Sequence, residues 1–205
     1  NPKIEGGIES DGDRHLIALD PANAKLYELF QVSKKSNGGW TAGSGAVFDL
    51  RSNALRPNGW TSADAAGLPI MPGLVKYSEL ASGSIEHALR FTTPQTQRAF
   101  IWPARHFASS DKNANLPPMG IRLRLRSDFD ETSFPKDCQI ILRCLKKYGM
   151  FLADNGSSWF VSGEPDERWN NDTLHQLSRV KGTDFEVIDE SQLMLRSDSA
   201  ECKQQ

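Results

Sequence analysis

The sequence has no apolar run near the roughly 20 residues that a membrane-spanning helix needs, so no such helix is expected. It also lacks a surplus of positive charge. Its 24 Lys and Arg stand against 26 Asp and Glu, a formal charge of -2, whereas a nucleic-acid binder carries a basic patch. Cysteine is scarce: there are three. Cys138 and Cys144 fall on a helical stretch about 9 Å apart by helix rise, too far to bridge each other. Cys202 lies in a polar tail, and its pairing with either is left open. No two cysteines have the Cys-x2-Cys spacing of a zinc site. No Gly-rich phosphate loop, βαβ rhythm or internal repeat is present. Gly43-Ser44-Gly45 and Gly156-Ser157-Ser158 lack the Gly-x-Ser-x-Gly elbow of a serine hydrolase. The histidines His15, His87, His106 and His175 form no His-x-His or His-x3-His pair, so neither a metal nor a cofactor is expected. No signal peptide is present, and the start at Asn1-Pro2 reads as a mature or trimmed form.

What the sequence does contain is a series of short alternating segments. At 205 residues it is long enough to bury a core as a single domain over 1–205, with frayed ends at about 1–12 and 196–205. His15–Asp20 and Lys25–Val32 read as a hairpin joined by Pro21–Ala24. Ala46–Leu50 and Ile85–Thr92 read as further strands. In Gly120–Ser127, Ile121, Leu123 and Leu125 alternate with Arg122, Arg124 and Arg126. Residues 51–73 show no period, yet they carry Trp60, Leu68, Ile70 and Met71, so they read as an ordered loop packed on the sheet. One long helix is predicted near 135–148. Ser133 is its cap, Asp137 favours its positive end, and Ile140, Ile141, Cys144, Leu145 and Tyr148 form its apolar stripe. Met150–Ala153 and Trp159–Ser162 flank Asn155-Gly156 and read as a second hairpin. Leu74–Leu80 and Thr173–Val180 read as short helical or irregular pieces, and Phe185–Ile188 as a last strand. The expected fold is mainly β: an antiparallel β-sandwich or jelly-roll with long ordered loops and one long helix.

The stretch Arg98–Ser109 reads as a strand, with Phe100 and Trp102 on one face, that Pro103 interrupts. Past the break, Trp102, Arg105 and His106 bring together a flat ring, a fixed cation and a group titrating near neutrality, which suits a sugar or a uronic acid. Glu28 shares a strand face with Leu26 and Phe30. A carboxylate there must be paired or open into a cleft, and desolvation would raise its pKa as a general acid requires. Asp49 is a parallel case after Val47-Phe48. The expected catalytic set is Glu28, Asp49 and His106. The expected substrate-binding set is His15, Asp64, His87, Arg90, Trp102, Arg105, Asp154 and Trp159. His15, Glu28, Asp49, His87, Arg90, Arg105 and His106 are expected around one cleft, roofed by the 51–73 loop. Each has a bland counterpart: an ion pair inside the sheet, a turn residue at Asp64 or Asp154, a packing tryptophan.

Several phrases resemble a group of bacterial secreted proteins over most of the chain. They are Gly12-Asp13-Arg14-His15, Ser44–Leu50, Gly59–Pro69, Trp102-Pro103-Ala104-Arg105-His106 and Ala153–Trp159. The resemblance implies a bacterial protein exported to the periplasm or beyond, and it favours work on polysaccharides by analogy. The functional expectation is a carbohydrate-active protein. A hydrolase would pair Glu28 with Asp49 or Asp64 across the scissile bond. A lyase would use His106 or Tyr27 as base, with Arg105 or Arg90 neutralising a uronate. The alternatives are a noncatalytic carbohydrate-binding, lectin-like module and a structural protein-interaction domain.

Overall fold

The computed structural model describes residues 3–203. In chain order the elements are β1 (Leu16–Asp20), β2 (Lys25–Phe30), β3 (Ser33–Lys34), β4 (Trp40–Thr41), β5 (Ser44–Asp49), α1 (Tyr77–Ser82), β6 (Leu89–Thr93), β7 (Arg122–Leu125), α2 (Lys136–Lys147), β8 (Met150–Asn155), β9 (Phe160–Val161), α3 (Asn171–Leu174) and β10 (Phe185–Ile188). Strand accounts for 25% of the chain and helix for 18%, so the fold is mainly β.

β1, β2 and β5 form one antiparallel sheet, and β3 with β4 form a small ribbon. The hairpin predicted at 15–32 is present, with Asp20 opposite Lys25 across the Pro21–Ala24 turn. The second sheet runs β10-β7-β8-β6-β9, and it departs from an antiparallel sandwich because β6 and β8 are parallel. The hairpin predicted around Asn155-Gly156 is also not formed. β8 and β9 do not pair with each other; β6 lies between them, parallel to β8 and antiparallel to β9. Both backbone edges of β6 are paired, and the Thr92 and Thr93 carbonyls accept the Trp159 and Gly156 amides. The Asn-Gly turn signal therefore leads the chain around a third strand instead of back onto its own.

The helix expected at 135–148 forms as α2, with 12 residues and three turns, so it is of ordinary length rather than long. Ser133 does not cap it; its hydroxyl accepts from Arg179 instead, and Pro135 holds the cap position without a side-chain bond. Asp137 sits in the first turn and Lys146 and Lys147 in the last, as the macrodipole favours. Gly149 follows at φ +70°, where a Cβ would meet Leu123 O at 2.3 Å, so only glycine allows the turn from α2 into β8. Cys138, Ile141, Leu142 and Leu145 of α2 join Leu89, Phe91, Met150 and Leu152 of the sheet in one core. All three cysteines are free.

Two further expectations change. The Arg98–Ser109 stretch is not a strand. Phe100 makes one isolated bridge with Met119, and the chain then turns at the cis Trp102-Pro103 bond, with no proline N–H to extend a ladder. The segment expected to fray from 196 is tied down through the described residues. Ser199 bridges to Ala54, Met194 to Cys202, and Ser199 is buried. At the other end, the Glu5 amide donates to His15 O, which anchors part of the 3–12 stretch.

Leu142 is fully buried at the centre of this core. Leu142→Ala is expected to lose about 2–5 kcal/mol of unfolding free energy by urea titration, the range for a leucine cavity that cannot collapse. A loss below 1 kcal/mol would show that α2 does not carry the core.

Candidate functional site

The polar residues singled out in the sequence do converge, but on the chain itself. Their common target is the loop segment 62–71. The Asp64 carboxylate is fully buried and takes a two-pronged bond from Arg90 of β6, Nε at 2.9 Å and Nη2 at 2.7 Å. Arg90 also donates through Nη1 to Ser162. On either side of Asp64 the backbone is held as well. The His15 ring bonds Ala63 O at 3.0 Å, His106 Nδ1 bonds Ala65 O at 2.9 Å, and Asp154 accepts from Ala65 N at 3.1 Å. The Arg105 and His106 amides both donate to Ala66 O. Further along, Glu28 accepts from Ile70 N at 2.9 and 2.8 Å and from Met71 N at 2.8 Å.

Sequence-local causes put these groups in place. β8 carries a bulge opposite Phe91/Thr92: Phe91 pairs with Leu152 and Thr92 with Asp154, leaving Ala153 unpaired. The freed Ala153 carbonyl takes the Ala66 amide, and the extra residue turns Asp154 toward the side of the sheet that carries Arg90. Glu28 lies on the inner face of β2 with Leu26, both buried. Gly67, at φ +72°, lets the loop run against Trp60 O and Arg105, where a Cβ would sit 2.6 Å from that oxygen.

The electrostatics follow from this burial. Desolvation pushes the Asp154 carboxyl up to about 7, with the adjacent Asp64 charge and their shared hydrogen bond adding to it, against the Ala65 and Asn155 amides. Burial also raises Glu28, opposed by the Met71 and Ile70 amides and the Arg90 charge. Burial works against a charged His15, but the bond to Glu5 at 2.7 Å and the Ala63 carbonyl outweigh it and its pKa rises. A third carboxyl, Glu190, is pushed up to about 7 by burial despite its bond to Arg122.

Other expected site residues lie apart. Asp49 pairs with Lys25 at 2.8 Å on the outer face of the first sheet, and that bond together with the Arg51 amide draws its carboxyl down to about 2. Strand alternation places Glu28 on the opposite face, so the two cannot flank one glycosidic bond. His87 bonds Glu79 of α1 at 3.1 Å. Trp102 donates to Ser199 O, and Arg105 donates to Arg56 O and Ser197 O at 2.7 Å each. The guanidinium expected to fork a uronate therefore holds the C-terminal segment. Among the described residues no group of three or more His, Cys, Asp or Glu is arranged to hold a metal ion, and no helix is long and apolar enough to cross a membrane.

The open space lies on the other side of the five-stranded sheet. A cavity of about 830 Å³ separates α2 and the sheet from residues 158–182. Trp159 stands at its edge, stacked on Phe91 at 5.6 Å and tilted against Phe185 at 5.3 Å, and still 41% exposed. Its neighbour Phe160 is 64% exposed. Trp169 is pinned through Nε1 to Glu164 O and edge-on against Tyr77. Asn171, His175, Ser178 and Lys181 add polar groups to the lining. Because Arg90 and Phe91 are consecutive in β6, the Asp154 side and the Trp159 side are opposite faces of one sheet. Of the expected site residues, Trp159 alone lines this cavity. Phe160, Trp169 and His175 were not singled out; the one signal for them is an aromatic pair followed by a polar, Asn- and Asp-rich segment with another tryptophan. The chain matches no family model, no curated protein and no solved structure.

Two outcomes follow for the loop clamp. Asp64→Ala leaves Arg90 buried without its partner and is expected to cost about 3–5 kcal/mol in denaturant unfolding; a cost under 1 kcal/mol would mean that water reaches the guanidinium. For Asp154 the folded pKa lies above the usual 3.8, so the folded state holds an extra proton from about pH 4 to about pH 7. Stability is then expected to fall as pH rises through that window, and Asp154→Asn to reduce the fall. Identical slopes of Tm against pH in the two proteins would place the Asp154 titration elsewhere.

Proposed function

We infer that this chain is an exported bacterial carbohydrate-binding protein, and that it binds its polysaccharide without turnover. The observation that carries this reading is the fixed, exposed aromatic edge formed by Trp159 and Phe160 beside a cavity with polar side chains in its lining. Sugars present flat C–H faces that stack on such rings, while their hydroxyls take hydrogen bonds from groups such as Asn171, His175 and Ser178. Trp159 needs no reorganisation to serve. Its backbone sits at φ 59°, its amide is bonded to Thr92 O, and its ring rests stacked on Phe91 and tilted against Phe185.

Binding without turnover is favoured because the carboxylates suited to hydrolysis are occupied. Glu28 is buried under two backbone N–H groups, Asp49 is paired at the surface on the other face, and Asp64 is enclosed with Arg90. One observation favours a hydrolase instead. Asp154 is only half-buried, and its carboxyl holds a proton near neutral pH, as a general acid does. Its nearest carboxyl, Asp64, is within hydrogen-bond reach, closer than the roughly 5–9.5 Å at which glycosidase carboxylates face each other.

A panel of soluble polysaccharides tested by affinity electrophoresis and reducing-sugar release separates the readings. Trp159→Ala, checked for a native melting transition, is expected to weaken retardation about tenfold or more. No reducing ends should appear with the wild type. Release of reducing sugar that disappears in Asp154→Asn would replace the binding reading with the hydrolytic one, and full retardation of Trp159→Ala would move the site away from this groove.

A further inference from the structure

The cavity beside Trp159 is chemically graded, and the gradient says more about the ligand than the aromatic edge alone. Away from that edge the walls are aliphatic: Leu174, Leu177 and Val180 from the covering segment face Ile141 and Leu145 of α2 and Met150 of β8. None of these six offers a hydrogen bond from its side chain, so a bare glycan that entered here would strip water from its hydroxyls without replacement. At the polar part of the lining the situation is reversed. Among the described residues the side chains of Asn171 and His175 make no hydrogen bond to the protein, and Lys181 forms no ion pair. About 830 Å³ is the size of a small-molecule site, more than one stacked sugar ring fills.

The covering segment is anchored at its start and passes close to the Trp159 ring at its end, and between them Leu174, Leu177 and Val180 pack against the core. Ser162 O and the Glu164 amide bridge to Val75, and the Glu164 carboxylate takes the Tyr77 amide, so 162–164 is fixed to the start of α1. At its far end Gly182 passes the Trp159 ring where a Cβ would come within 2.9 Å of Cζ2. Both ends of the covering segment are thus fixed by residues that themselves line the cavity, Val75, Ser162 and Glu164 at one end and Trp159 and Gly182 at the other.

We propose that this site takes an amphipathic saccharide, a sugar bearing an alkyl or acyl chain, with the sugar on Trp159 and Phe160 and the chain between Leu177, Val180 and α2. The assignment rests on the carbohydrate-binding reading and adds the apolar half of the ligand. Each methylene that enters the cavity is expected to raise affinity by roughly fourfold at most.

The test uses the whole chain and three probes kept below micelle formation: methyl glucoside, octyl glucoside and octanol, titrated by calorimetry. Octyl glucoside is expected to bind at least about 100-fold tighter than either of the others. Leu177→Trp, which fills the aliphatic wall, should return octyl glucoside to the affinity of methyl glucoside while leaving methyl glucoside unchanged. Val180→Phe serves if Leu177→Trp lacks a native melting transition. Equal binding of the two glucosides would overturn the amphipathic ligand and leave the carbohydrate reading standing. Octanol binding as tightly as octyl glucoside would overturn both, because the sugar would then contribute nothing. No binding of octyl glucoside up to its micelle threshold, with polysaccharide still retained, would overturn the proposal alone.

Discussion

The buried bond between Arg90 and Asp64 is the constraint on which the rest of this structure depends. A guanidinium and a carboxylate, both largely removed from water, are costly unless each satisfies the other. Their two-pronged contact does so, and it joins the middle of an irregular loop to the middle of a strand. Once Asp64 is fixed, its neighbours fall within reach of His15, Asp154 and His106, and the same path leads the Ile70 and Met71 amides to Glu28. A loop without secondary structure has backbone groups that a sheet would otherwise pair. Here the side chains of His15, of Glu28 on β2, of Asp154 on β8 and of His106 after Pro103 take that role, and the two sheets are tied together through the loop.

The bulge in β8 is what gives the five-stranded sheet different chemistry on its two sides. The unpaired Ala153 lends its carbonyl to the loop, and Asp154 is turned into the polar seam beside Arg90. On the helix side, Phe91 supports Trp159 and the aliphatic residues of α2 face the covering segment. Ser162 touches both regions: it receives Arg90 Nη1 and it lines the cavity. Glu28 and Asp154, whose pKa values are raised, thus hold the loop backbone on one side of the sheet, while the cavity on the other side has apolar walls and a polar edge. A strongly perturbed carboxyl is often a sign of catalysis. At Glu28 the cause is burial, which the Met71 and Ile70 amides oppose while the carboxylate holds the loop.

Much of the element list was legible because local patterning survives in the fold. The 3.6-residue stripe located α2 to within a residue at each end, and period-two alternation located β2, β7 and β10. Part of the candidate set also meets in space, while Asp49, His87, Trp102 and Trp159 lie elsewhere. His15, Glu28, Asp64, Arg90, Arg105, His106 and Asp154 all meet the same loop, since polar groups on apolar strand faces must find partners somewhere. Sequence cannot say whether that partner is a ligand or the chain itself. A backbone N–H is present at every residue but proline, so nothing in the letters Ile70-Met71 marks them as the donors to Glu28.

Pairing was the other quantity that sequence left open. An Asn-Gly turn between two apolar runs favours a hairpin by local energy alone, yet β6 offered both of its edges and took β8 and β9 from each other. By itself the sequence determined the periodicities, the helix with its charges, the glycine that ends it and the presence of polar groups that had to be buried, because each is set by neighbours a few residues away. Only the tertiary structure decided which strands pair, which carboxylate faces which cation, and where a cavity remains, because these depend on residues brought together from as far as 146 positions apart.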